Sequence, residues 1–379
     1  MKAGTTLLLC CIAFCLATPL SAQKLELTPY GFVKGDAIYV TSGVQSFGHT
    51  GIAAPQLATG IDTAALGFTA QHTRFGLKGS TGDDIKVGGL IELDFFTNLI
   101  ETNLRPRMRL AYAWMSTGNF ELRVGQQWDL FSPNNPTTNN TNGNLWFGGN
   151  MGFRRGQIQM AYSMPMDDFT PKLQLALCEG ASDPMVADNW SGMPMLQGRL
   201  SATFMKNYVV GAYFANANFT PNPADSDMDY STSGFGLDFK LPLHEMLELS
   251  GEFNTGTNLL NANLFTIASM GSKDIDRKST AFWLNATSKV SDMLHVVVGF
   301  GMDNNDTDDE HVRSGHVLSN TVIYGNLIFP ISGAFSLAFE AMSITTEYKD
   351  GIVLAAGPPN AGDEKRSSLI INLSGRVNF

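Results

Sequence analysis

Between Leu104 and Trp114 the chain alternates arginine with apolar residues. Arg105, Arg107 and Arg109 share one parity with Ala111; Met108, Leu110, Tyr112 and Trp114 share the other. Successive side chains of a strand point to opposite faces. The spacing therefore predicts a strand with one wet, anion-attracting face and one face suited to hydrocarbon and ending in an aromatic. A soluble sheet seldom needs three arginines in a row, whereas a transmembrane strand lining an aqueous lumen does.

The same period of two recurs along the chain. Lys24–Thr41 predicts a first strand, with Val33, Ala37 and Tyr39 opposite Lys34 and Asp36. Leu66–Gly79 predicts a second, with Phe75 and Leu77 outward and His72, Arg74 and Lys78 inward. Ile85–Phe96 alternates apolar residues with Lys86, Glu92 and Asp94, and Phe120–Phe131 sets Phe120, Leu122 and Val124 against Glu121 and Arg123. Eleven further segments follow, at about 152–163, 171–179, 195–205, 207–218, 231–241, 246–255, 278–289, 293–302, 316–329, 334–347 and 367–379. Short connections alternate with long ones. About sixteen strands, short turns at one end and long loops at the other are the pattern of an all-β transmembrane antiparallel β-barrel, with short periplasmic turns and long extracellular loops. The last segment places Leu369, Ile371, Leu373, Val377 and Phe379 on one face and Ser368, Asn372, Ser374, Arg376 and Asn378 on the other. A closing strand that ends on a lipid-facing aromatic is the expected handle for the machinery that assembles such barrels.

Composition changes the picture in three places. Lys2, an apolar run from Leu7 to Leu16 and Leu20-Ser21-Ala22 predict an exported leader cleaved after Ala22, with the barrel over 23–379. That removes Cys10, Cys11 and Cys15, so Cys178 remains alone and no intrachain disulfide forms. The formal charge is −10, and residues 201–379 hold 11 Lys/Arg against 20 Asp/Glu. An acidic chain argues against nucleic acid as a partner. The basic residues gather in the early strands and the acids in the late loops, a charge arrangement within one structure.

Five stretches in order carry a family resemblance: Tyr30-Gly31-Phe32-Val33-Lys34-x-Asp36, Thr73 to Gly79, Glu92-x-Asp94-Phe95-Phe96, Arg107-x-Arg109-x-Ala111-Tyr112 and Gly125-Gln126-x-Trp128. They resemble the DcaP-like trimeric porins, within the sixteen-stranded porins. The resemblance implies a homotrimer of water-filled channels for small anionic solutes, dicarboxylates especially.

The candidate pore-lining residues are Arg105, Arg107 and Arg109, with Arg74, Lys78 and Arg123 as strand neighbours. Guanidinium stays charged and can grip a carboxylate through two parallel hydrogen bonds. A column of such sites passes an anion along without a deep trap. The competing structural role is neutralisation by Lys34's neighbour Asp36, by Glu92 and Asp94, and by Glu121. The uncharged, Asn-rich stretch 132–150 is the candidate constriction loop, with Asn139, Asn140, Asn142 and Trp146 turned into the lumen.

Other chemistries are weakly supported. His244-Glu245-Met246-Leu247-Glu248 lacks the second histidine of a zinc-protease motif. Asp303–Glu310 is acid-rich but fits no EF-hand, and is expected to be a solvated loop meeting lipopolysaccharide through divalent ions. The expectation is a passive outer-membrane channel with no cofactor and no catalysis. The alternative is a surface barrel that acts as an adhesin or structural protein through its long loops.

Overall fold

In the computed structural model, residues 26–45, 51–54, 62–97, 103–141, 145–180, 192–205, 207–220, 229–265, 267, 275–308, 311–351 and 364–379 are described. The predicted leader lies outside these residues, as do Asn142 and the end of the acidic stretch at Asp309 and Glu310. The strands are β1 (Glu26–Val40), β2 (Ala65–Thr69), β3 (Arg74–Thr81), β4 (Ile85–Asp94), β5 (Arg107–Thr117), β6 (Phe120–Trp128), β7 (Arg154–Ser163), β8 (Phe169–Cys178) and β9 (Met195–Phe204). They continue with β10 (Tyr208–Phe219), β11 (Tyr230–His244), β12 (Leu247–Thr257), β13 (Lys278–Ser291), β14 (Leu294–Asn305), β15 (Val317–Pro330), β16 (Phe335–Tyr348) and β17 (Lys365–Asn378). Each pairs antiparallel with its neighbour, and β1 closes onto β17 from Phe32↔Asn378 to Val40↔Ile370. Closure removes both sheet edges. β2 and β3 share one position, because both pair with β1, so the seventeen strands make a barrel of sixteen. Both ends of the barrel chain lie at the short-turn end: Glu26 pairs with Ser80, and the Asn378 amide donates to the Ala334 carbonyl.

The outer surface is apolar in register. Val33, Phe75, Leu77, Ile91, Met108, Val124, Ile158 and Leu173 are all exposed. Such a belt would aggregate in water and suits a bilayer. Phe379 joins it, with its ring centroid 5.7 Å from that of Phe75.

Glycine and aromatic residues lock the register. Tyr30 pairs across the ladder with Gly76, Trp114 with Gly88, Tyr213 with Gly236, Phe239 with Gly251 and Tyr324 with Gly299. In each pair the ring lies where a side chain on the glycine would stand. An aromatic over a cross-strand glycine is a known register device.

Two irregularities shift the alternation. Between Asp36↔Thr69 and Phe32↔Arg74, β1 uses three residues where the partner uses four, 70–73. Thr73 repairs the ladder there: its hydroxyl accepts from the Lys34 amide at 3.1 Å and donates to the Lys34 carbonyl at 3.2 Å. In β5 the register passes from Leu93↔Met108 to Glu92↔Leu110, leaving Arg109 as the extra residue of a bulge.

The interior also departs from the expected charged lining. Segments 51–54, 130–141, 145–153 and 258–265 fold back inside from the long-loop end. Leu259, Leu264 and Phe265 pack with Phe131, Tyr213 and Phe219, while Ala53 and Leu145 pack with Trp283, Val322 and Ile344. The inner wall of the later strands is apolar where these loops must bury their own apolar side chains.

Candidate functional site

The arginine stretch divides into three roles. Arg105 precedes β5 and is exposed. Arg107 pairs with Asp94 through two bonds, Nε to Oδ1 at 2.9 Å and Nη2 to Oδ2 at 2.8 Å, and keeps 34% of its side chain exposed. Arg109 is 1% exposed and bridges two carboxylates, with Nε 2.7 Å from Glu92 Oε1 and Nη1 2.9 Å from Asp94 Oδ2. Arg74 stands 3.6 Å from Glu92 and donates to the Thr141 carbonyl. The single predicted column is therefore one loop cation, one lumen-edge cation and one wall cation.

The bulge at Arg109 also corrects the expected faces. Met108 points outward, but beyond Arg109 the parity reverses. Leu110, Tyr112 and Trp114 pair with Glu92, Leu90 and Gly88, so they lie on the inner face, and Ala111 and Ala113 lie on the outer one. A simple count by two fails because one added residue flips every later side chain.

Lys34 and Asp36 form a buried ion pair at the seam between β1 and β17, and His72 Nδ1 lies 3.0 Å from Asp36 Oδ2. Asn372 donates to Asp36 across the seam at 3.2 Å. These side chains hold the wall together and are closed off from the lumen. Lys78 is exposed on the inner face and has no carboxylate partner among the described residues. Arg123 meets Glu121 at 2.9 Å with 34% and 30% of their side chains exposed.

Residues 130–141 and 145–153 follow the inner wall from β6 to the far side. The Leu130 and Phe131 amides donate to Gln197 on β9. Glu252 on β12 accepts from the Ser132 hydroxyl and the Asn134 amide, both at 2.6 Å, and from Trp283 Nε1 at 2.9 Å. The Thr137 amide reaches Asn285 on β13 at 2.8 Å, and the Asn139 amide reaches Glu340 on β16 at 2.7 Å. Ser374 on β17 donates to Asn139 Oδ1 at 2.7 Å, and the Gly149 amide donates to Asp303 on β14. Asn139 and Asn140 are thus buried as loop anchors, while Trp146 is half-buried in the turn that follows Leu145. Asp303, expected in a solvated loop, ends a strand and holds this segment.

Six inner-face residues lie outside the set expected from the sequence: Arg155, Lys172, Arg199, Asp238, Glu252 and Glu340. Arg155 pairs with Asp129 at 2.8 Å and Arg199 with Asp238 at 2.6 Å, and both pairs face inward. The alternation of Arg155, Gln157 and Gln159 carries a readable signal for the inner face. Nothing local marks Glu252 or Glu340, each of which accepts from a loop backbone amide more than 100 residues away.

No protein-family model and no curated protein matches the chain. Solved structures do. The outer-membrane channel DcaP of Acinetobacter baumannii superposes with a TM-score of 0.75 at 19% identity, covering 94% of this chain and 97% of that one. An anion-selective porin from Comamonas acidovorans gives 0.61 at 14% identity, covering 94% and 100%. OmpT of Vibrio cholerae, in its trimer form, gives 0.57 at 10%, covering 94% and 99%. At these identities the likeness is one of fold: this chain has the closed sixteen-stranded architecture of outer-membrane porins.

Proposed function

We propose that the protein is an outer-membrane porin, a passive channel for small hydrophilic solutes with a preference for anions. The observation that supports this most directly is the unequal engagement of charge on the inner wall. Asp36, Glu92, Asp94, Glu121, Asp238 and Glu248 are paired with cations, and Glu252 and Glu340 are taken up by the inward loop. Lys78, Lys86, Lys172 and Arg376 have no carboxylate partner among the described residues. Glu26, opposite Ser80 at the short-turn end, is an inner-face acid without a cation partner among the described residues, and the four cations outnumber it, which gives the lumen a positive potential. This answers the opposition between an acidic chain and an anion path, because several late acids serve as internal anchors.

The reading includes export by the leader, insertion through the closing strand that ends at Phe379, contact with lipopolysaccharide, and assembly as a homotrimer. The adhesin alternative is weakened by segments 51–54, 130–141, 145–153 and 258–265, which turn into the barrel and away from any surface partner. The test is the reversal potential of the purified protein in a planar bilayer under a salt gradient. Anion selectivity is expected. Cation selectivity would overturn the anion preference, and an absence of conductance would overturn the channel itself.

A further inference from the structure

The parity reversal at Arg109 places two large aromatics on a wet wall. Tyr213 and Tyr324, two other inward rings set over glycines, are buried in the wall, as a purely register-locking role allows. Tyr112 and Trp114 instead sit side by side on the inner face of β5, both partly exposed. Trp114 lies against Gly88, its cross-strand partner on β4, so part of the indole rests on bare backbone.

Positive charge stands beside both rings. Arg123 is the β6 partner of Trp114, and its guanidinium carbon is 5.4 Å from the Tyr112 ring centroid. The Glu121 contact uses Arg123 Nε, and the two terminal nitrogens have no hydrogen-bond partner among the described residues. Lys78 pairs with Leu90, which in turn pairs with Tyr112, so a second unpaired cation lies on the same row. A carboxylate held by Arg123 would carry any attached ring toward the neighbouring aromatic faces. Rings gain from offset or edge contacts beyond the area they bury.

We propose that the inner face of β4–β6 is a subsite for anions that carry an aromatic ring, aryl carboxylates in the first instance. Tyr112 and Trp114 take the ring, and Arg123 takes the carboxylate. The proposal rests on the channel reading above and adds the chemical class of a preferred solute. Tyr112, Trp114 and Arg123 are each only partly buried, which suits a transient stop on a diffusion path.

The test is block of chloride current through the full-length protein in planar bilayers by benzoate and by cyclohexanecarboxylate. These two anions share charge and near-equal size and differ in the aromatic ring. Benzoate is expected to half-block at a concentration about three- to tenfold lower, the range of one aromatic pair contact. Trp114→Leu and Tyr112→Leu should each reduce that ratio toward one while leaving the chloride conductance in place. Arg123→Gln should weaken block by both anions and leave their ratio unchanged. Should Trp114→Leu fail to fold, Tyr112→Leu carries the same test at the second ring, where the cross-strand Gly125 meets the Cα and Cβ that leucine keeps. A wild-type ratio of one overturns the proposal, as does a ratio that survives Tyr112→Leu. A wild-type protein without chloride conductance overturns the channel reading, and the subsite with it.

Discussion

At the scale of single residues, adjacent arginines on one strand have different work to do. Arg107 is a third exposed and bonded to one carboxylate, whereas Arg109 is closed off and joins two. Arg107→Ala should therefore leave a folded barrel with a smaller anion preference, seen as a reversal potential shifted toward zero. Arg109→Ala leaves Glu92 with Arg74 at 3.6 Å and the Tyr30 hydroxyl at 3.2 Å, and removes the cation that joins it to Asp94 in the wall. Removing one partner of a buried ion network costs about 3–5 kcal/mol. That loss should appear as a lower temperature for the change from compact to unfolded electrophoretic mobility. The sequence reveals both as inward cations, because period-two alternation reports the face. It does not reveal which one is covered, because the covering comes from a bulge that sets Arg109 between Glu92 and Asp94, with the Trp128 ring centroid 5.6 Å from its guanidinium carbon.

At the scale of elements, the alternation predicts the strands well. The sixteen predicted segments correspond to the sixteen positions in the wall, and the closing strand has the two faces read from its sequence. Phase within a strand is harder to read. An added residue such as Arg109 leaves both parities chemically plausible, since Ala111 and Ala113 suit lipid as well as Tyr112 and Trp114 would. The glycine–aromatic pairs fix what alternation leaves open. Gly76→Val should destabilise the barrel by about 1–3 kcal/mol, since its side chain would collide with the Tyr30 ring. Tyr30→Ala in the same chain should restore part of the loss, and a double-mutant cycle of thermal unfolding measures that coupling.

At the scale of the whole molecule, the inward loop and the far wall form one unit. Glu252→Ala removes an acceptor shared by Ser132, Asn134 and Trp283, costing about 1–3 kcal/mol of anchoring. Single-channel records of this variant should show larger and noisier conductance than wild type, and an unchanged trace would mean that the remaining anchors suffice. The proposed homotrimer is checked by electrophoresis of unheated protein, which should migrate near three times the mass of the single chain and collapse to that mass on boiling. This level of organisation is the least legible in the sequence, because the contacts that make it join residues far apart along the chain.

Those long separations also set an order in time. Ser132 meets Glu252 across 120 residues, Asn139 meets Glu340 across 201, and Ser374 returns to Asn139 across 235. Contacts so distant in sequence form late, after the intervening chain has been ordered. The loop is synthesised early, yet it has no complete seat until β16 and β17 are in the wall. A newly closed barrel therefore passes through a stage wider than the finished one, and the narrowing of its passage is the last act of its folding.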